Sequence, residues 1–188
     1  MNHLKLAHLY WEKHLKKNTI AIDCTMGNGL DLLFLAQCLK PLRGILFGLD
    51  IQKKAFDTSL KLIKENFNLK ERENIHLLLQ SHENFDFLQE KCSLFVYNLG
   101  FLPGSDKKIK TTATTSLQSI KNAINHLSLD GAISIMCYPG HKEGKEEMIL
   151  LEKLFKDLRS FDISYHRWCK KKDSPCLFWL KKKAILDG

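Results

Sequence analysis

Ile20-Ala21-Ile22-Asp23-Cys24-Thr25-Met26-Gly27-Asn28-Gly29-Leu30-Asp31 compresses a buried strand, a glycine turn and the start of a helix into twelve residues. Glycines at 27 and 29 let the backbone turn sharply and let a ligand approach without Cβ clashes. The helix that follows, from about Leu30 to Leu39, presents unbonded N–H groups to whatever sits at its start. Pro41 ends it, because proline cannot continue a helix. The same unit recurs outward along the chain. Gly44 to Asp50 reads as a second strand, and Gln52 to Asn66 as a helix with Ala55, Phe56, Leu60 and Ile63 facing inward. Ile75 to Leu79 is a third strand, ending at Gln80-Ser81-His82, and Leu94 to Asn98 a fourth, after which Leu99 to Gly104 turns away. Thr114 or Thr115 can cap a helix to about Leu127, and Asp130-Gly131 turns into a fifth strand, Ala132 to Tyr138. A helix over Lys145 to Leu158 precedes two last strands, about Asp162 to Cys169 and Cys176 to Lys182. Upstream, Leu4 to Lys16 places Leu4, Ala7, His8, Trp11 and Leu15 at helical spacing.

Strand–helix alternation repeated five or six times argues for a parallel sheet covered on both faces, closed by one antiparallel hairpin. This is an α/β, Rossmann-like plan that resembles the seven-stranded, mostly parallel sheet of the class I methyltransferases, and it accounts for nearly the whole chain. With 188 residues and no linker or repeat, the chain reads as one domain over 1–188, its first 17 residues a helix packed on the core.

Composition sets the outer bounds. Apolar residues make up 44% and charged residues 27%, the balance of an ordinary globular protein. No apolar run approaches the roughly 18–20 residues needed to span a bilayer, and Met1 to Lys5 lacks the features of a signal peptide. A cytoplasmic location is the expectation. Six cysteines (24, 38, 92, 137, 169 and 176) form no Cys-x-x-Cys pair, so neither metal nor disulfide is expected, and they read as small buried side chains. The net charge of +8 suits a polyanion such as RNA, and equally a lysine-rich proteome.

Polar residues at the carboxyl ends of the strands converge on one chemistry. A dinucleotide site would put a third glycine after Gly29 at the fingerprint spacing, but that position is Leu32, and Asp31 stands beside it. A carboxylate there repels a pyrophosphate and attracts a sulfonium and an α-ammonium, which favours S-adenosylmethionine. Asp50, 27 residues after Asp23, closes the second strand where a carboxylate can accept both hydroxyls of a ribose. Ile51 and Gln52 follow it, and Ser81 and His82 end the third strand within reach of an adenine. The expected cofactor residues are Asp23, Thr25, Gly27, Asn28, Gly29, Asp31, Asp50, Ile51, Gln52, Ser81, His82 and Asn98. Each taken alone has a plainer explanation, a helix cap for Asp31, a surface turn for Asp50 and a polar loop for His82.

Methyl transfer asks the protein mainly to place a nucleophile in line with the donor, and an amine nucleophile must be neutral. Asn98-Leu99-Gly100-Phe101 lies where amine methyltransferases carry an Asn/Asp-Pro-Pro-Tyr/Phe loop, and the Asn98 carboxamide oxygen can accept amine hydrogens. His141 can take a proton or be a solvated loop histidine. Tyr138 or Phe101 can stack on a base.

Four blocks complete the pattern: Asp-x-Thr-x-Gly-Asn-Gly-x-Asp from Asp23, Gly-x-Asp-Ile-Gln from Gly48, Asn-Leu-Gly-Phe-Leu-Pro-Gly from Asn98, and Tyr-x-Gly-His-x-x-Gly-Lys-Glu-Glu from Tyr138. From about Thr19 to Leu180 the chain resembles the MnmM (YtqB-type) methyltransferases, long labelled rRNA methylases. The resemblance implies N-methylation of a 5-aminomethyl-(2-thio)uridine at the tRNA wobble position, giving the 5-methylaminomethyl form. It puts the catalytic end on Asn98, Tyr138 and His141. Substrate contacts fall on Gly100, Phe101, Pro103, Gly104, Asp106, Lys107 and His141. Two positions depart from that pattern: Phe101 replaces a commoner tyrosine, removing a hydroxyl, and Ser105 a commoner glycine. The expected partner is a tRNA anticodon arm, met by Lys170, Lys171 and Lys172 with Lys107, Lys108 and Lys110. An antiparallel last strand would place Lys181 to Lys183 about 20 Å away. A homodimer would widen the RNA surface. Ribosomal RNA, a small amine, or cofactor binding without catalysis are the alternatives.

Overall fold

The structure, a computed structural model, describes residues 3–100, 113–169, 171 and 173–183. Its elements in chain order are α1 (His3–His14), β1 (Ile20–Asp23), α2 (Leu30–Leu39), β2 (Ile45–Asp50), α3 (Lys53–Asn66), a 3-10 turn (Lys70–Arg72), β3 (Ile75–Leu79), β4 (Cys92–Leu99), α4 (Ala113–His126), β5 (Leu127–Cys137), α5 (Lys142–Lys156), β6 (Phe161–Arg167) and β7 (Cys176–Lys182). The strands form one sheet in the order β3-β2-β1-β4-β5-β7-β6. The pairings among β3, β2, β1, β4 and β5 are parallel, and β7 lies antiparallel between β5 and β6. This is the expected Rossmann-like sheet.

Alternation along the strands divides the core between the two faces. Ile20, Ile22, Phe95 and Tyr97 face α4 and α5, where Ile120, Ala123, Leu151 and Phe155 are buried. Ala21, Leu46, Leu94 and Val96 face the other way, onto Trp11 of α1, Leu32 and Leu35 of α2 and Ile63 of α3. Strand order reverses between β1 and β4, and the crevice beyond their carboxyl ends is where open α/β sheets bind ligands.

Several boundaries differ from the sequence expectation, among them one that puts Thr114 and Thr115 inside α4 rather than at its cap, and three have a clear structural reason. Strand β5 starts at Leu127 rather than Ala132: Cys92 pairs with Leu127, but Leu94 already pairs with Ala132. The Asp130-Gly131 turn is therefore a bulge within the strand. Helix α5 begins at Lys142 rather than Lys145, because His141 caps it. Strand β6 ends at Arg167, and Cys169 lies in the hairpin loop, exposed rather than buried. Cys24, Cys92, Cys137 and Cys176 are buried. Among the described residues no helix is long and apolar enough to cross a membrane.

Candidate active site

The β1–α2 turn is held from both neighbouring strands, β2 and β4. Cys24 N–H donates to Val96 O of β4 at 2.9 Å, and Met26 N–H to Leu49 O of β2 at 3.0 Å. Gly27 N–H donates to Asp50 Oδ2 at 3.1 Å, while Asp50 Oδ1 accepts Gln52 N–H at 2.9 Å. From β4 again, Asn98 N–H donates to Thr25 Oγ1 at 2.7 Å. Gly27 and Gly29 have φ of 50° and 80°, a region that costs other L-residues energy. A Cβ on Gly29 would also stand 2.7 Å from Ser59 Oγ, the hydroxyl that donates to Gly27 O. Both glycines are thus required by the turn itself.

Three carboxylates surround this turn. Asp23 is fully buried, and its carboxyl is pushed well above the ordinary range, first by burial and then by the nearby charge of Asp31. Its Oδ1 accepts Thr25 N–H at 3.1 Å, and its buried Oδ2 has no hydrogen-bond partner. Asp31 does not cap α2, whose start at Gly29 carries no side-chain cap. Instead Asp31 Oδ1 meets His8 Nε2 at 2.6 Å, and Asp31 Oδ2 accepts from Asn98 Nδ2 at 2.8 Å. A concentration of negative charge beside uncapped helix N–H groups suits a ligand carrying both a cationic centre and a carboxylate.

Structure thereby ties Asp23, Thr25, Gly27, Gly29, Asp31, Asp50, Gln52 and Asn98 into one hydrogen-bonded or sterically constrained rim. Asn28 is exposed at the tip of the turn, and Ile51, 58% exposed at the end of β2, offers an apolar surface of the kind an adenine ring covers. Ser81 bonds within its own loop, to Glu83 Oε2 at 2.8 Å. His82 packs edge-on against Tyr97, its buried Nδ1 has no partner, and burial lowers its pKa, which keeps the ring neutral.

On the candidate substrate side Gly100 has φ 154°, favouring glycine, and a Cβ there would lie 3.9 Å from Tyr138. Burial and the charge of Asp31 push the Tyr138 hydroxyl up to about 12, so it stays protonated at neutral pH. His141 Nδ1 accepts Gly144 N–H at 3.0 Å. That bond commits the Nδ1 lone pair to capping α5. Lys171 lies in the hairpin loop at the same edge, since Cys176 at the start of β7 faces Cys137 at the end of β5. Phe101, Pro103, Gly104, Asp106, Lys107, Lys108, Lys110, Lys170 and Lys172 lie outside the described residues.

Sequence reasoning placed His8 on the inner face of a packing helix and missed its bond to Asp31. It also missed His3, whose ring meets Tyr138 and Trp168 edge-on at 5.9 and 6.2 Å. Helix α1 is a wall of the site. The available signal was weak: a histidine on an apolar helix face, with no hint of its partner.

With this geometry in view, relatives are informative. Residues 46–182 match the family described as "Putative rRNA methylase". The chain belongs to this family. It is 32% identical over 155 residues to the Arabidopsis thaliana protein named "tRNA (mnm(5)s(2)U34)-methyltransferase, chloroplastic", across 79% of this chain and 57% of that protein. The chain thus spans little more than half the length of that relative. Among solved structures it resembles a "putative rRNA-methylase" from Clostridium thermocellum, with 28% identity, a TM-score of 0.88, and 97% and 98% of the two chains covered. A Streptococcus mutans "putative methyltransferase" in complex with SAH matches with 26% identity and a TM-score of 0.83, again over 97% and 98% of the two chains.

Proposed function

We propose that this chain is an S-adenosylmethionine-dependent N-methyltransferase, converting 5-aminomethyl-(2-thio)uridine at the tRNA wobble position to the 5-methylaminomethyl form. The observation that carries this is the pairing of two half-sites at the switch point: the glycine turn ringed by Asp23, Asp31 and Asp50, and the Asn98 carboxamide bonded to Asp31. The printed name of the Arabidopsis relative and the SAH in the Streptococcus structure support it.

The residues fit the cofactor. Gly27 and Gly29 leave a surface without Cβ atoms, the uncapped start of α2 suits a carboxylate, and Asp31 and Asp50 suit positive charge. Asp50 would hold the ribose, Ile51, Gln52, Ser81 and His82 the adenine, and Asp31 the amino-acid end. When bound, the cofactor supplies an already activated methyl group, so no strong acid or base is asked of the protein. What remains is positioning. Asn98 Oδ1 accepts a hydrogen of the incoming amine and turns its lone pair toward the donor. Tyr138, protonated and half-buried, walls the same space and offers a face for the uracil ring. Lys171, with Lys170, Lys172 and Lys107, would meet the anticodon-arm phosphates. We further propose one domain over 1–188, working in the cytoplasm, with a homodimer as a compatible assembly.

The test is incubation with S-adenosylmethionine and tRNA from cells lacking the last wobble-uridine methylation, followed by mass analysis of nucleosides. One added methyl group on 5-aminomethyluridine is expected, and none would overturn the proposal. Asp50→Ala removes the acceptor of two backbone N–H groups as well as the ribose contact. Charge-assisted bonds of this kind are worth about 1.5–3 kcal/mol each, so affinity for S-adenosylhomocysteine should fall by about a hundredfold. Unchanged affinity by calorimetry would remove Asp50 from the cofactor site.

A further inference from the structure

An asparagine that must present its oxygen to a substrate has a difficulty of its own. The two ends of a carboxamide have the same shape, and a half-turn about the last bond exchanges acceptor for donor. In this site the ambiguity is removed by Asp31. Asn98 Nδ2 donates to Asp31 Oδ2 at 2.8 Å. A flipped amide would set its oxygen against a carboxylate oxygen, two acceptors facing each other. With the donor end committed to Asp31, the acceptor end is left for the amine.

Asp31 can do this only if its own carboxylate is fixed, and the group that fixes it comes from α1. His8 Nε2 lies 2.6 Å from Asp31 Oδ1, with the two side chains only 26% and 14% exposed. The imidazole cannot swing away easily. It stacks on Phe34 of α2, with centroids 3.9 Å apart and planes 12° from parallel, and it leans on Trp11 at 4.9 Å. Trp11 and Ala7 are in turn buried between α1 and the sheet. Core packing of α1 therefore sets the ring, the ring sets the carboxylate, and the carboxylate sets the carboxamide.

We infer that His8 is a positioning residue for methyl transfer, clamping Asp31 so that the Asn98 carboxamide keeps its oxygen toward the substrate amine. The inference rests on the amine-methylating function proposed above. It assigns α1 a part in catalysis without placing it in contact with the reacting atoms.

The test uses the full chain with His8→Ala, His8→Gln, Asn98→Ala and the His8→Ala/Asn98→Ala double variant. Glutamine can reach Asp31 with an N–H donor but cannot titrate, so it separates the hydrogen bond from the imidazole's chemistry. Four quantities are read: kcat and KM on the unmethylated tRNA, calorimetric affinity for S-adenosylhomocysteine, melting temperature, and the NMR signals of the Asn98 side-chain amide. Misplacing a catalytic group by a fraction of its reach costs about ten- to a hundredfold. His8→Ala should lose about that much in kcat, with KM for tRNA changed by less than about threefold. His8→Gln should recover most of the loss. The double variant should be no slower than Asn98→Ala, because both changes remove the same interaction.

Multiplying losses in the double variant, or a His8→Gln variant as slow as His8→Ala at an unchanged melting temperature, would overturn the inference. So would a KM rise with kcat intact. If wild-type protein binds S-adenosylhomocysteine yet methylates no tRNA, the functional proposal fails separately. The clamp is then judged by the Asn98 amide protons: they should shift in His8→Ala and stay near their wild-type positions in His8→Gln. Amide signals indifferent to both variants would dismiss it.

Discussion

The N-cap of α2 is Gly29, which offers no side chain to the helix's first N–H groups, whereas the N-cap of α5 is His141, whose Nδ1 accepts the N–H of Gly144 at 3.0 Å. Both helices follow a strand whose carboxyl end opens on the same crevice, and both turns are rich in glycine. Their glycines answer different needs. Gly29 is required by its backbone, at φ 80°, and Gly144 by its neighbours, since a Cβ there would stand 2.2 Å from Tyr138 O. A helix end left uncapped keeps its N–H groups for a ligand, while one capped by its own residue has spent them on the fold. The β1–α2 turn therefore keeps its N–H groups for the proposed cofactor, and the β5–α5 turn holds Tyr138 beside the proposed substrate position.

That contrast breaks most sharply at the two glycines. Gly144→Ala drives a methyl group into a backbone carbonyl, which cannot rotate aside. Overpacking of this kind costs about 1–3 kcal/mol, or about 3–10 °C in melting temperature for a chain of this size. Affinity for S-adenosylhomocysteine should be unchanged. Gly29→Ala puts alanine in the left-handed region, at about 1–2 kcal/mol, and crowds Ser59 Oγ. It should lose both stability and cofactor affinity. Equal losses of affinity in the two variants would erase the distinction between a binding turn and a holding turn.

His141 sharpens the same comparison at smaller cost. If its lone pair serves as a cap, His141→Asn, another good N-cap, should keep the melting temperature, and His141→Ala should lose about 1 kcal/mol. Methyl transfer should fall no more than a few-fold in either. A hundredfold drop in His141→Asn at an intact melting temperature would return His141 to the role of proton acceptor that its position in the sequence invited.

Sequence and structure agree where burial writes a period into the chain. Ile20 to Ile22, Leu94 to Val96 and the inward stripe of α3 are apolar because both sheet faces are covered, so strand and helix positions could be read directly. The Gly-x-Gly turn was legible for the same local reason, a backbone that only glycine tolerates. Gly144 gave no such sign: its constraint comes from the carbonyl of Tyr138, folded back over the helix start, and an unconstrained glycine there looks like a helix breaker. This is why α5 was expected three residues late. The bulge in β5 depends on how Cys92 and Leu94 choose partners across the sheet, which no local pattern records. Asp31 and His8 are 23 residues apart on two helices, and only packing of α1 against α2 brings them to 2.6 Å. The proposed cofactor residues sit on turns whose chemistry is local, while the group we propose as orienting the substrate end is supplied from a distance.

The smallest expected effect tests which edge of the sheet meets RNA. Strand β7 runs antiparallel to β5, with Cys176 opposite Cys137 and Lys181 opposite Ala132. Seven residues of strand separate its ends by about 20 Å. Lys171, before β7, therefore shares the edge of Tyr138 and the glycine turns, and Lys181 lies toward the other. A lysine that neutralises one phosphate contributes about 0.7–0.9 to the slope of log affinity against log salt. Between 50 and 200 mM salt, losing it changes the affinity ratio by about threefold. Lys171→Ala should flatten the slope for tRNA by about that unit, and Lys181→Ala should leave it unchanged. The reverse result would place the RNA on the edge away from the cofactor turn, where neither Asn98 nor Tyr138 could reach a wobble base.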